Sequence, residues 1–440
     1  MKQSNYNFFY PYKEDETKLI AYNSFSNALA LIEKEKHLKF VKFCNDEADL
    51  DEEFKEQLRQ GAFLIDDDVN ELELLRQGML VSRYSTDYFG VTIAPTLDCN
   101  FRCIYCYEKD SIKQCYMDSD TQDRIVELLK KKVKTIRQFS VTWYGGEPLM
   151  ALDVIENLSK QFIEICKEND VEYNAGMITN GYLLTRSSVE KLNEANVSFY
   201  QVTIDGKPED HNIRRPLVGG KPTFDRIMQN LKDNIDIIPQ VSLRMNIDKN
   251  NLESGAFIVD YLRENGLDGK VAPYLANTTN SNDSYDSPSC MSTEEFSDVD
   301  FKHDVAMGER MDIRSKYPRR IQNYCGADSM ASLVIAADGR LYKCWCDIGI
   351  DDRCIGNIKE NYGLFNRANL NYVAYDPTQD EKCMDCKLLP ICMGGCPFQR
   401  LEKADVCSMY KHKLENYLSA ISETIKKQQE DQVEREQEAI

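Results

Sequence analysis

Cys99-Asn-Phe-Arg-Cys103-Ile-Tyr-Cys106 places three thiols within eight residues, with three residues and then two between them. Cysteines so closely spaced on one loop suit a [4Fe–4S] cluster, whose irons take thiolate as their usual ligand. Three cysteines hold three irons and leave the fourth open to a non-protein ligand, which points to chemistry rather than to a structural staple. For the spacing alone the alternative is a zinc knuckle that borrows a fourth Cys or His from elsewhere. Immediately upstream, Phe89-Gly-Val-Thr-Ile-Ala94 reads as a strand running into the loop.

Outward from this point strands and helical patterns alternate. Strands are expected near 89–94, 139–143, 173–179, 199–204, 241–247 and 270–275, and Ile125, Leu128, Leu129, Val133 and Ile136 recur at helical spacing. Repeated βα units imply an α/β fold with a parallel sheet and helices outside it. The conspicuous residues sit where strands end, as active residues do in such folds. The cysteine loop follows the first strand, Gly145-Gly146-Glu147-Pro148 the second, Thr179-Asn180-Gly181 the third and Asp205-Gly206 the fourth.

The cysteine loop, with Tyr105 before its last cysteine and Gly145–Pro148 about forty residues on, strongly resembles the radical S-adenosylmethionine (SAM) enzymes. The resemblance implies a partial (β/α)6 barrel in which SAM chelates the open iron. It implies that Gly145, Gly146, Glu147 and Pro148 bind the SAM amino group, with the Glu147 carboxylate suited to an ammonium, and that Tyr105 belongs to the same cofactor site. Arg244 is the candidate for the SAM carboxylate, and Asn180 and Asp205 for the ribose. Structural hydrogen bonding at strand ends is the alternative for those last three.

A second cysteine system follows: Cys325, then Gly339-Arg-Leu-Tyr-Lys-Cys344, then Cys383, Cys386, Cys392 and Cys396, and finally Cys407. This order resembles the SPASM domain, which carries two auxiliary [4Fe–4S] clusters; paired zinc ribbons are the alternative. By that resemblance Cys383, Cys386, Cys392 and Cys407 hold one auxiliary cluster, and Cys325, Cys344 and Cys396 hold the other. One ligand is then missing. Either Cys346 or Cys354 closes the cluster, or its iron stays open for a substrate thiolate. Cys44, Cys115, Cys166 and Cys290 have no evident partner in the sequence.

Composition narrows the rest. A net charge of −19 over 440 residues disfavours a nucleic-acid partner, since phosphate binding wants a basic surface. No apolar run is long enough to span a bilayer and the N-terminus lacks a signal-peptide core, so no membrane partner is expected and the expected location is cytoplasmic. Sixteen cysteines in a reducing compartment argue for cluster ligation over disulfides. The four histidines have no zinc-hydrolase spacing and read as ordinary residues.

The expected organisation is a winged-helix-like peptide-recognition module over 1–88, a radical SAM core over 89–276, a linker over 277–320, a SPASM domain over 321–412 and a helical, solvated tail over 413–440. Asn23 to Ile32 is expected to start a capped helix within the first module. The function implied by the resemblance is a peptide maturase of the sactipeptide and ranthipeptide kind, using SAM and three [4Fe–4S] clusters to install a sulfur-to-carbon thioether. Its expected partners are a precursor peptide with a leader and a reductant such as flavodoxin or ferredoxin. Alternatives are sulfatase-maturase-like oxidation of Cys or Ser to formylglycine, carbon–carbon crosslinking or epimerisation, and a non-catalytic electron carrier.

Overall fold

The computed structural model describes residues 1–307, 312–360, 366–404 and 406–438. The chain forms two compact units: Met1–Ser82 with Thr293–Tyr324 and Asp376–Ile440, and Arg83–Ser292 with Cys325–Tyr375.

In the first unit β1 (Lys2–Gln3), β2 (Asn7–Pro11), β3 (Lys18–Asn23), β4 (Ala28–Glu33) and β5 (Leu64–Ile65) form two antiparallel sheets, ordered β2-β3-β4 and β1-β5. Helices Lys34–Cys44 and Glu52–Gln60 lie between β4 and β5, and Phe40, Phe54 and Leu58 pack with Ala21, Phe63 and Leu64. Asp51 caps the second helix by accepting from the Phe54 N–H at 3.0 Å. The expected helix start at Asn23 is instead a hairpin. The Asn23 carboxamide oxygen accepts from the N–H groups of Phe25 and Ser26, and Asn27 turns the chain in the left-handed region. An Asx turn and an N-cap share this local geometry, and the short apolar run Ala28–Ile32 satisfies either periodicity. Pairing with β3 decides for strand.

The second unit is built on β6 (Tyr88–Ile93), β7 (Gln138–Trp143), β8 (Glu172–Thr179), β9 (Val197–Thr203), β10 (Val241–Ile247) and β11 (Val271–Asn277). Consecutive strands are parallel neighbours, the open (β/α)6 arrangement expected of the sequence. Helices fill the crossovers, among them Ser119–Lys132, Leu152–Glu168 and Arg186–Glu194. With helices covering the sheet, its strands are apolar and buried; Ile93, Trp143, Met177 and Leu243 are examples. The sheet continues past the barrel strands: β12 (Ser332–Ile335) runs parallel beside β6, followed by antiparallel β13 (Arg340–Tyr342) and β14 (Gly356–Asn357). Part of the stretch read as a SPASM domain thus extends the core sheet and covers its first edge.

Two segments hold more packed structure than their sequence suggests. The 277–320 linker contains a helix, Thr293–Met307, whose Asp300 and Asp304 are buried and both approach Lys316 Nζ, at 3.3 and 2.9 Å. The tail is also not a solvated appendage. Helix Tyr410–Glu438 buries Leu414, Tyr417, Leu418 and Ile421, a helical stripe that packs with Tyr12, Ile20 and Tyr22 and with Ile313. Its charged second half hides this stripe in any average over the segment. Among the described residues no helix is long and apolar enough to cross a membrane. Leu418→Ala should therefore lower the stability of the folded chain by about 2–5 kcal/mol in denaturant unfolding, as removal of a core leucine does; a solvated tail would give no change.

Candidate active site

The cysteine loop leaves the end of β6 and is pinned at both faces of the sheet end. Residues 100–104 run antiparallel to 214–218: Val218 N–H donates to Asn100 O, Arg102 N–H to Pro216 O and Ile104 N–H to Arg214 O, each at 2.9 Å. Phe101 and Leu217 are the paired residues at the centre. Within the loop the Phe101 N–H points at Cys99 Sγ at 3.4 Å, the kind of donor a cluster thiolate accepts. Burial pushes all three thiols up, Cys106 to about 12, so they lose their protons only to a strong compensating charge such as iron.

Gly145 and Gly146 lie against this loop. Gly145 has φ +112°, and a Cβ on Gly146 would come within 2.2 Å of Asp98 O and 3.2 Å of Cys99 Cβ. No side chain fits there. The Glu147 N–H donates to Asp98 O at 2.9 Å, and Pro148 starts a short 3-10 turn. The Glu147 carboxylate is fully buried. Its Oε1 accepts from Thr179 Oγ1 at 2.7 Å and Leu149 N–H at 3.1 Å, and its Oε2 accepts from Asn180 N–H at 2.8 Å. The carboxylate ties the ends of β7 and β8 together rather than facing an ammonium, which leaves the segment's carbonyl oxygens as acceptors. Asn180 is likewise committed, with Nδ2 on Asn100 Oδ1 at 2.8 Å and Oδ1 accepting from Tyr182 N–H at 3.0 Å.

Tyr105 is the hub of the opposite wall. Its hydroxyl donates to Asp205 Oδ2 at 2.6 Å and accepts from Arg215 Nη1 and Asn246 Nδ2, both at 2.9 Å. Asn246 Oδ1 in turn takes the Arg244 Nε at 2.8 Å. Asp205, expected at a ribose, is fully buried and also accepts from Arg214 Nε at 3.0 Å, while Arg214 Nη1 reaches Asp248 at 2.6 Å. Arg214, Arg215, Asn246 and Asp248 escaped the sequence reading. The available signal was the Arg-Arg-Pro that follows Asp205-Gly206, and Asn246 two residues from Arg244 on the same face of β10.

A second cysteine loop lies close by in the same unit. Asn282 Nδ2 donates to the carbonyls of Tyr107 and Cys346, at 3.3 and 3.0 Å. The Tyr107 and Tyr144 hydroxyls are hydrogen-bonded, and the Tyr144 ring stacks on Trp345 with centroids 5.4 Å apart. Cys344 and Cys346 are thiol–thiol neighbours: a hydrogen bond from one to the other, with burial second, pushes the Cys344 thiol well up. Cys354 turns its thiol to Gly356 O at 3.2 Å. Cys325 accepts the Ala327 N–H at 3.4 Å and lies near Lys343, the buried residue preceding Cys344.

Cys383, Cys386, Cys392, Cys396 and Cys407 belong to the first unit. There burial raises the Cys392 thiol, with Cys407 and Cys386 as neighbouring thiols. Among the described residues no three His, Cys, Asp or Glu side chains converge as a single metal ion needs.

Residues 93–262 match the family model described as the radical SAM superfamily. That family implies SAM and a [4Fe–4S] cluster, and the three-thiol loop, its N–H donor to sulfur and the side-chain-free Gly146 cradle fit both. The cysteine-type anaerobic sulfatase-maturating enzyme of Clostridium novyi (strain NT) is 24% identical over 334 residues, covering 68% of this chain and 85% of that protein. A GTP 3',8-cyclase of Sulfurimonas denitrificans is 27% identical over 45% of this chain. The chain spans 60%, 39% and 41% of the length of that cyclase and two further curated relatives. Among solved structures, Streptococcus suis SuiB bound to its precursor peptide SuiA has a TM-score of 0.55 at 16% identity, over 93% of this chain and 99% of that one. At that identity the likeness is one of fold. Over residues 93–262 the chain is a radical SAM domain.

Proposed function

We propose that this protein is a radical SAM peptide maturase that joins a cysteine sulfur of its substrate to a carbon as a thioether. The observation that carries the reading is the fixed approach of the Cys344–Cys346 loop to the Cys99–Cys106 loop through Asn282, Tyr107, Tyr144 and Trp345. A radical site next to a second thiolate-bearing loop suits carbon–sulfur bond formation: the carbon would lose a hydrogen atom to the radical, the sulfur its proton, and the electron left over would pass to a cluster on that loop. Supporting it are the sulfatase-maturating relative and the fold shared with SuiB, whose structure holds a precursor peptide.

Bound at the cysteine loop, SAM and a reduced cluster would supply radical chemistry able to remove hydrogen from an unactivated carbon. The chain's own residues do the placing. Cys99, Cys103 and Cys106 would hold three irons, and the backbone carbonyls of Gly145 and Gly146 would accept from the SAM amino group. Buried Tyr144, bonded through its hydroxyl to Tyr107 beside the cysteine loop, adds bulk that would keep water from reactive species. At the second loop Cys325 and Cys344 would hold an auxiliary cluster, closed by Cys346. Cys383, Cys386, Cys392 and Cys407 hold another. The reductant is a flavodoxin or ferredoxin, and the compartment is the cytoplasm.

The leader of the precursor docks at β4. Among the described residues no strand pairs with its outer edge, Leu31 is exposed there, and the helix that follows carries exposed Lys34, Lys36, Lys39 and Lys42. An extended, acidic segment matches both the edge and the charges. Formylglycine formation is the second reading, favoured by the sulfatase-maturating relative.

Three measurements test the reading. Reconstituted full-length protein should cleave SAM to 5′-deoxyadenosine, and Cys99→Ala, Cys103→Ala and Cys106→Ala together should abolish cleavage while the remaining cysteines keep iron. Leu31→Asp should weaken binding of a fluorescently labelled precursor by about tenfold or more, from the loss of an apolar edge contact and like-charge repulsion of an acidic strand. Cys346→Ala should alter the paramagnetic spectrum and iron content where Cys354→Ala does not. If a Cys-containing peptide changes that spectrum in the unaltered protein while its Ser analogue does not, Cys346 is not the closing ligand and substrate sulfur is.

A further inference from the structure

Arg215 is a buried cation with an unspent donor. It is 7% exposed, its Nη1 donates to the Tyr105 hydroxyl, and its guanidinium lies 5.7 Å from the centre of the Phe101 ring. Its Nε is buried with no hydrogen-bond partner. Its neighbour Arg214 is matched by two carboxylates, Asp205 at 3.0 Å and Asp248 at 2.6 Å. Among the described residues no carboxylate pairs with Arg215. Burial of a guanidinium is costly unless an anion and acceptors compensate it, so one belongs beside it.

The antiparallel ladder says which. Phe101 pairs with Leu217, and the flanking hydrogen bonds join 102 to 216 and 104 to 214, so Cys103 stands opposite Arg215. Residues directly opposite one another share a face of such a pair.

We propose that Arg215 is the counter-ion of the sulfur at Cys103 and, as a positioning residue, sets the reduction potential of the cluster on Cys99, Cys103 and Cys106. The inference rests on the radical SAM reading of that loop. Reduction adds one electron, supplied from outside, to a site that is already anionic. A fixed positive charge and an N–H donor beside the sulfur favour the reduced state and raise the potential. Tyr105 holds the guanidinium in place from one side and Phe101 from the other.

The test is a redox titration of the reconstituted full-length protein without SAM, followed by the paramagnetic signal of the reduced cluster, on Arg215→Gln and Arg215→Lys. At the wild-type midpoint Arg215→Gln should lower the reduced-to-oxidised ratio about tenfold, which is ~59 mV for a one-electron couple. Arg215→Lys, which keeps a charge but has no Nε–H, should lower it less. If Arg215→Gln does not retain iron, the lysine variant decides alone, a lowered ratio supporting the role. An unchanged potential with full iron content overturns it. So does an unchanged potential with weakened SAM binding, which would give Arg215 to the SAM carboxylate. If the wild-type signal does not respond to SAM, the radical SAM reading of the loop fails, and the role of Arg215 with it.

Discussion

One hydroxyl organises the site. A tyrosine O–H has one proton to give and two lone pairs to offer, and Tyr105 uses all three: Asp205 takes the proton, and Arg215 and Asn246 donate to the oxygen. Because Tyr105 sits in the cysteine loop, these bonds fix that loop to Asp205 just past β9, to the 214–218 segment and to β10. Buried hydrogen bonds of this kind make the frame that holds them rigid. The three cysteines therefore come from a loop whose orientation depends on side chains distant in sequence. Asn251 extends the frame by donating to the carbonyls of Asp205 and Asn246, both at 3.0 Å.

The same network sorts the buried charges. Arg214 sits between two carboxylates and donates to a backbone carbonyl as well, so it is neutralised where it stands. His211 is fully buried, pushed well below its usual range by burial and by both arginines, and it accepts the Asp205 N–H at 3.1 Å; it is neutral and structural. Among the described residues no carboxylate lies within ion-pair distance of Arg215, which stands on the face that holds Cys103. A thiolate-ligated cluster is strongly anionic, and a fold that carries one gains by keeping a cation without a carboxylate partner beside it.

Much of this was legible in the sequence because it lay in residue type and short spacing. The cysteine triplet, Gly145–Pro148 and the six core strands carry local signatures, and the strands fall within two residues of their expected ends. What escaped is non-local. The pairing of β12 with β6 joins residues more than two hundred apart, and no periodicity announces a neighbour. Glu147 was identified but its direction was not: only the folded positions of Thr179 and Asn180 show its carboxylate turned inward. Adjacent Arg214 and Arg215 look like a solvated pair until the ladder with 100–104 buries both.

The polar stretch from Asn277 to Pro288 illustrates how composition misleads about role. It reads as a spacer, yet it holds the residue that sets the distance between the two cysteine loops. Asn282 has φ +56°, a left-handed conformation that asparagine tolerates better than most residues. Its amide nitrogen has two protons, and the two carbonyls it reaches belong to Tyr107 and Cys346. Glycine would allow the turn without the donors, and glutamine would supply donors with a longer arm and a poorer fit to the turn. Asparagine meets both demands, and a segment chosen for its turns becomes the tie between one cysteine loop and the next.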